Sequence, residues 1–577
     1  MRYLTNRYFA SYFLIALIVI TANFPIVFMY KSMMLDDMGR YVQGIEGGGF
    51  TTKLGYPLGS YIMSVAHRLM LPSLVFARLY IAIFLVLSSA VFFYISNRVL
   101  RLPVLMSLAA AIFPSILPGQ TLIPGFIAGS YTVPGSLFMF MSILFAHKYV
   151  EGKEDGWGPL FLFFIMHVSS LMAMLDGLFY FLPMMLIFMS FGNFKLNKRI
   201  QHLLAIVILA DVIKIWHHFF VTYVSSQTPV TLSFAQIYGR VINSIYYMFP
   251  IGFNSYPSRF MTGIFIVFLL WGMMNWSISL YKNTKTNGLI LQESFRESLP
   301  ALLGFVWLVS GSVVFWFISP FFANRYFHLA SYGAGLFVAF FVLRSGYSGK
   351  STDYKKYSMA ALMMLISLMI FNKIYWQYGF VSVQNSVYSL YKDELKKIDY
   401  PQNSQIIVTG DEWLATSGYW RYSSGYLKYI TGRIDVEGNI SYPELQFYNA
   451  FNPSERGFAT HMTGIDIKNP VFLFRKTNRR IYPVKYALRW EESVWSQKES
   501  SSLRGGLVAT AEKLIRSPWV IYQFDLVSGE HAILREGEGL DSYKRVINDL
   551  SELGIAEREI LWAGPMSRST EIRFGIR

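Results

Sequence analysis

The chain has 577 residues, of which 53% are hydrophobic, 17% aromatic and only 15% charged. Soluble domains carry about 25% charged residues, so the composition excludes an ordinary soluble enzyme, and the absence of cysteine excludes disulfides, thiolate metal sites and a cysteine nucleophile. The net charge of +16 argues against a nucleic-acid partner once it is located: residues 1–374 hold 26 Lys/Arg against 11 Asp/Glu, residues 375–577 hold 25 against 24, and basic loops in the apolar part have a topological cause.

Taken from the N-terminus, the first apolar run covers about 9–30. It is too long, and too closely followed by others, for a cleaved leader. Further runs of spanning length lie near 75–96, 102–118, 131–147, 158–174, 177–192, 202–223, 260–281, 299–318, 329–343 and 357–374. About eleven spans are therefore predicted. Alternate connections are basic ("MRYLTNR", "NRVLR", "HKYVEGK", "KLNKR", "KNTKT" through Arg296, and "RSGYSGKSTDYKK"), and they hold 16 of the 26 basic residues of this part. The positive-inside rule sets them in the cytoplasm. An odd number of spans then puts the C-terminal 200 or so residues outside, which in a bacterium is the periplasm.

The translocated connections differ in character. The first, 31–74, contains Gly47 to Gly49, Pro57 and the amphipathic "GSYIMSVAHRLM"; a second long one covers about 224–259. Short apolar helices broken by Gly and Pro suit segments that lie in the interface or fold into a cavity. After about residue 376 the chain turns polar. "SQIIVTG", "PVFLFRK" and "WVIYQFDLV" predict strands, and "DSYKRVINDLSELG" an amphipathic helix stopping at Gly554. The expected organisation is a polytopic α-helical membrane domain, 1–376, and an α/β or α+β domain, 377–577. Glycine nucleotide fingerprints, HExxH and GxSxG do not occur.

The eleven acidic residues of the membrane part sort by side. Glu151, Glu154, Asp155, Glu293, Glu297 and Asp353 fall among lysines in cytoplasmic loops, and Asp211 lies within a span. Asp36, Asp37, Glu46 and Asp176 are left at the translocated face. Adjacent carboxylates repel, which raises the pKa of one of them and fits it to take a proton from a hydroxyl; a polar helix exit is the ordinary alternative for Asp36 and Asp37. Asp176, in "AMLDGLFYF", fits a plain Asp-Gly turn as well as a second site carboxylate. Intramembrane charge is limited essentially to Asp211 and Lys214, which at i and i+3 suggest a structural ion pair. The basic groups at the translocated face are Arg40, Arg240, Arg259 and Arg325, with His328 beside the last. An arginine fork holds phosphate bidentately, and snorkelling to headgroups is its rival. His67 and Arg68 fit the polar side of an interfacial helix.

An N-terminal helix, an acidic pair at its outer end, a long first loop with interfacial helices and many further spans resemble the GT-C class of membrane glycosyltransferases. More narrowly, "DDMGRYVQG" followed by "GYPLGSYI" is similar to the bacterial O-antigen-modifying glucosyltransferases of the Gtr type, with their Asp-Asp-x-Gly-Arg and Gly-Arg-Pro-Leu-like segments. The match covers about residues 30–65, and general architecture extends it to about 376. Tyr56 stands where that family often has arginine, and the C-terminal domain is larger than the Gtr type leads one to expect. The resemblance implies transfer of a hexose such as glucose from a polyprenyl-phosphate donor to a glycan or lipopolysaccharide acceptor at the bilayer of the bacterial inner membrane. It implies Asp37 or Asp36 as base, and Arg325, Arg40, His328, Asp176 and Arg240 around donor and substrate. No cofactor is firmly implied; a divalent cation, if used, would fall to Asp36 and Asp37. The alternatives are a transporter or flippase for lipid-linked sugars, which predicts internal repeats that the sequence lacks, and an O-antigen polymerase or ligase.

Overall fold

The computed structural model describes residues 2–33, 37, 41, 57–120, 123–125, 127, 132–152, 156–174, 180–191, 196–217, 233–249, 256–287, 291–317, 327–347, 352–409, 423–441, 469–477, 480–490, 495–497, 507–509, 515–556 and 559–563. Two compact units emerge: Met1–Tyr30 with Phe50–Ser382, and Lys31–Gly49 with Val383–Arg577.

In the first unit the helices are α1 (Arg2–Ala22), α2 (Pro57–Met70), α3 (Leu74–Tyr94), α4 (Val104–Ile116), α5 (Thr132–Glu151), α6 (Trp157–Ala173), α7 (Phe181–Phe191), α8 (Lys198–His217), α9 (Phe234–Met248), α10 (Tyr256–Asn287), α11 (Leu291–Phe317), α12 (His328–Tyr347) and the 44-residue α13 (Thr352–Leu395). Each of the eleven apolar runs coincides with one of these helices, and α2 and α9 are the amphipathic extras. Four helical stretches, Leu74–Val99, Thr132–Glu151, Arg259–Ile278 and Met359–Leu395, are long and apolar enough to cross a membrane, and six shorter helices are apolar. Helix α8, with Lys198, Arg199, Asp211 and Lys214, falls in neither group. Two π-helical segments, Pro25–Met29 and Ile95–Val99, extend α1 and α3.

The membrane unit is packed by aromatic rings and small residues rather than by a hydrophobic gradient, as expected where lipid is as apolar as leucine. Phe92 and Phe140 both lie 4.8 Å from the Tyr332 ring, and Tyr180 lies 5.6 Å from Trp307. Helices α11 and α12 meet at Gly304 and Gly333. A methyl added to either would stand 2.7 Å from the other's carbonyl oxygen, so only glycine permits this approach. The Trp307 indole donates across the same seam to the Leu329 carbonyl at 3.1 Å.

The second unit takes α13 from Val383 onward and two four-stranded sheets. Strands β1 (Gln405–Thr409), β2 (Glu437–Ser441), β3 (Val471–Lys476) and β4 (Ile481–Val484) form one sheet in the order β2-β1-β3-β4, parallel except for β4. Strands β5 (Tyr486–Trp490), β8 (Pro518–Phe524), β9 (His531–Glu538) and β10 (Ile560–Ala563) form the other, in the order β10-β5-β8-β9; β6 (Trp495–Gln497) and β7 (Leu507–Ala509) pair separately. Only Lys485 separates β4 from β5. Alternate residues of a strand face opposite ways: Ala487 joins Ile407, Leu473 and Phe524 in a core shared by both sheets, while Leu488 joins Trp519, Ile521, Leu540 and Leu550 under α15 (Leu540–Glu552). Helix α14 (Ser423–Thr431) packs beside β2. The expected stop at Gly554 is present as a left-handed residue, φ 83°, the conformation glycine adopts without a Cβ penalty. The three strands and the helix read from sequence are β1, β3, β8 and α15.

Candidate functional site

Where α1 ends, the chain is fixed by its own backbone groups. The Arg78 guanidinium, on α3, donates to the Tyr30 carbonyl and lies 4.5 Å over the Tyr30 ring. Arg78 is fully buried, as is Tyr30. In the second unit, Lys31 N–H donates to Asn385 Oδ1 at 2.8 Å, and the Tyr429 hydroxyl donates to the Lys31 carbonyl at 2.9 Å. Asp37 and Tyr41, four residues apart in sequence, are both helical. The Tyr41 ring meets Tyr429 edge-on at 5.3 Å, and Tyr388 lies 5.6 Å from Tyr429 on another side. The three tyrosines thus form one cluster, and Asp37, four residues before Tyr41, is only 1% exposed. A carboxylate is that far from water only when the fold supplies compensating groups. Asp36, Arg40, Glu46, Asp176 and Arg325 lie outside the described residues.

His328 opens α12 and is completely buried, its ring 5.5 Å from Tyr332. Arg240 is half-buried on α9, and burial draws its guanidinium below the ordinary arginine pKa. That helix begins with a reciprocal cap: Gln236 N–H donates to Ser233 Oγ at 3.3 Å, and Ser233 N–H to Gln236 Oε1 at 2.9 Å. The Trp316 indole N–H donates to Ser244 Oγ at 2.9 Å and ties α9 to α11. Phe234 and Tyr238 stay exposed, consistent with an interfacial helix.

Two corrections follow. The carboxylate of Asp211 lies 3.7 Å from His167 Nε2, across from α8 to α6, rather than beside Lys214 as i, i+3 spacing suggested; helix packing supplied a nearer partner. Intramembrane charge is also not limited to Asp211 and Lys214. Arg78 and Lys373 lie within the predicted spans 75–96 and 357–374, and each is 1% exposed. A single cation near the end of an apolar run suggests snorkelling, and only the tertiary fold turns it inward. Among the described residues no three His, Asp or Glu gather as metal ligands would.

No family model matches the chain and no curated protein matches it. Among solved structures, the apo form of ArnT from Cupriavidus metallidurans is similar at 12% identity and a TM-score of 0.46, over 82% of this chain and 94% of that one. The same enzyme bound to undecaprenyl phosphate gives 12% and 0.44, over 74% and 85%. An oligosaccharyltransferase from Archaeoglobus fulgidus, in complex with zinc and sulfate, gives 12% and 0.39, over 81% and 67%. Likeness of this degree leaves the fold family and the activity to this chain's own residues, and the Gtr-type resemblance finds no support in it. The class that the helices define is a helical membrane protein with several candidate spans, joined to an α/β unit.

Proposed function

We propose that the protein is a membrane glycosyltransferase that moves a monosaccharide, a hexose such as glucose, from a polyprenyl-phosphate donor to a periplasmic glycan such as O-antigen. The observation that carries this reading is Asp37: a buried, helical carboxylate shortly after the first apolar helix in sequence. In the proposed reaction an acceptor hydroxyl attacks the anomeric carbon and its proton passes to Asp37. The bond from that carbon to the phosphate oxygen breaks, and the lipid phosphate leaves with the electron pair. Arg325, Arg40 and His328 receive its charge, Arg240 and Asp176 contact substrate, and Asp36 orients Asp37 or shares a divalent cation with it. The reading sets the basic loops in the cytoplasm and residues 377–577 in the periplasm of a bacterial inner membrane.

Reconstitution with a polyprenyl-phosphate sugar and an oligosaccharide acceptor tests it. Asp37→Asn is expected to lower the turnover number by about 10²–10⁴, and Asp36→Asn by less. Full transfer by both single variants and by the double variant would end the proposed role of the pair.

A further inference from the structure

Two further buried polar side chains of the membrane unit, Lys373 and Ser115, are not used by the reaction as written, and they belong with His328, which is. Lys373 lies on α13, and its ammonium donates to the Ser115 carbonyl at 2.6 Å and, at 3.4 Å, to the Gln120 carbonyl. Those two oxygens end α4 and the short 3-10 turn after it, Pro118–Gln120. Among the described residues no carboxylate lies within ion-pair distance of Lys373. The helix that His328 opens packs along α4, with Gly335 against Ala110 and Phe113, and neither ring nitrogen of His328 has a hydrogen-bond partner among the described residues; the buried Ser115 hydroxyl has none either.

The chemistry of this group is unbalanced. An ammonium presents three donors, and the two carbonyls use two of them. Carbonyl dipoles at a helix C-terminus favour a cation, but they do not cancel a full charge removed from water. One ammonium N–H, one imidazole N–H and a hydroxyl are left to face a single positive charge. Hard oxyanions carry both the opposite charge and several acceptor oxygens, and charge-assisted hydrogen bonds to them are the strong ones. The position agrees: α4 begins after Arg101, α12 runs towards Arg344, and α13 starts at the lysines 355 and 356. Ser115, His328 and Lys373 therefore lie at the bundle end away from the basic loops, about 27 Å along α13 from its first lysine.

We infer that Lys373, His328 and Ser115 form an oxyanion site at the outward end of the membrane unit, which takes a phosphate group, either on a lipid or free. Assigned to the lipid, the inference rests on the proposed glycosyl transfer and makes Lys373 the fixed counter-charge of the departing phosphate, a role the sequence had left to arginines.

Binding of polyprenyl phosphate, polyprenol and inorganic phosphate to the detergent-solubilised full chain, followed by thermal stabilisation, separates the possibilities. Polyprenyl phosphate is expected to stabilise the wild type more than polyprenol does, and Lys373→Met to bind it at least about tenfold more weakly, with Lys373→Arg recovering part of the loss. Equal affinity in Lys373→Met would overturn the site and leave Lys373 as a cap on α4. If polyprenyl phosphate binds no better than polyprenol while inorganic phosphate binds through Lys373, the oxyanion site stands and the lipid-donor reading fails. Should Lys373→Met not fold, His328→Phe decides: weaker phosphate binding supports the site, and unchanged binding removes it.

Discussion

Arg78 shows how much one side chain can organise. Its guanidinium is planar and stacks over the Tyr30 ring while an N–H reaches the Tyr30 carbonyl; a lysine at that position is a point charge and cannot do both. Arg78→Lys is expected to lower the thermal unfolding midpoint in detergent by an amount corresponding to about 1.5–3 kcal/mol, the worth of a hydrogen bond to a charged group. An unchanged midpoint would show that the exit of α1 is held by other means. Sequence reasoning sorted every carboxylate by side and thereby narrowed the candidates to Asp36, Asp37, Glu46 and Asp176, because acidic residues are scarce in the membrane part. It passed over Arg78 and Lys373 because a lone cation barely alters the hydropathy of its run. Whether such a cation snorkels outward or turns into the bundle depends on neighbours far away in sequence, Tyr30 for one and Ser115 for the other.

At the scale of the element, helices were the more legible part. Apolar runs of spanning length specify where helices lie, since a backbone in lipid must satisfy its own hydrogen bonds. Their ends were less legible. The last run was expected to stop near 374, yet α13 continues to Leu395, because a helix needs no apolar surroundings once its residues favour it. Of the strands, β1, β3 and β8 were visible as apolar runs, whereas β9 has an alternation of exposed and half-buried residues that resembles a loop. The β8–β9 turn gives a pH-dependent prediction. Backbone N–H groups of Ser528 and Val527 donate to Asp525 Oδ1 at 2.7 and 2.8 Å, and these bonds hold its carboxyl below the usual aspartate range. A depressed folded pKa stabilises the fold above the unfolded value of about 3.9 and ceases to do so as pH falls through the folded one. Melting curves of wild type and Asp525→Asn should therefore differ at pH 6 and converge on acidification; a gap that persists unchanged at about pH 3 would contradict this.

For the whole molecule, the division of charge is the strongest legible feature: the excess of Lys/Arg belongs to residues 1–374, and the remainder is nearly neutral. Basic loops retained in the cytoplasm and an odd number of spans predict that an alkaline phosphatase fused to the C-terminus is active, with fusions after Lys153 and Lys285 inactive. An inactive C-terminal fusion would reverse the sidedness and, with it, the grouping of Asp37 among translocated carboxylates. What no local pattern announced is that Lys31–Gly49 belongs with residues beyond 383. The partners of Lys31 are 354 and 398 residues away. During synthesis at about 5–20 residues per second, the segment bearing Asp37 emerges roughly 20–80 s before Tyr429 exists to hold it. Assembly of that segment is thus governed by time as well as affinity: it has to remain unaggregated and uncleaved through the insertion of every later helix, and a chain truncated before residue 429 would leave it permanently without its anchor.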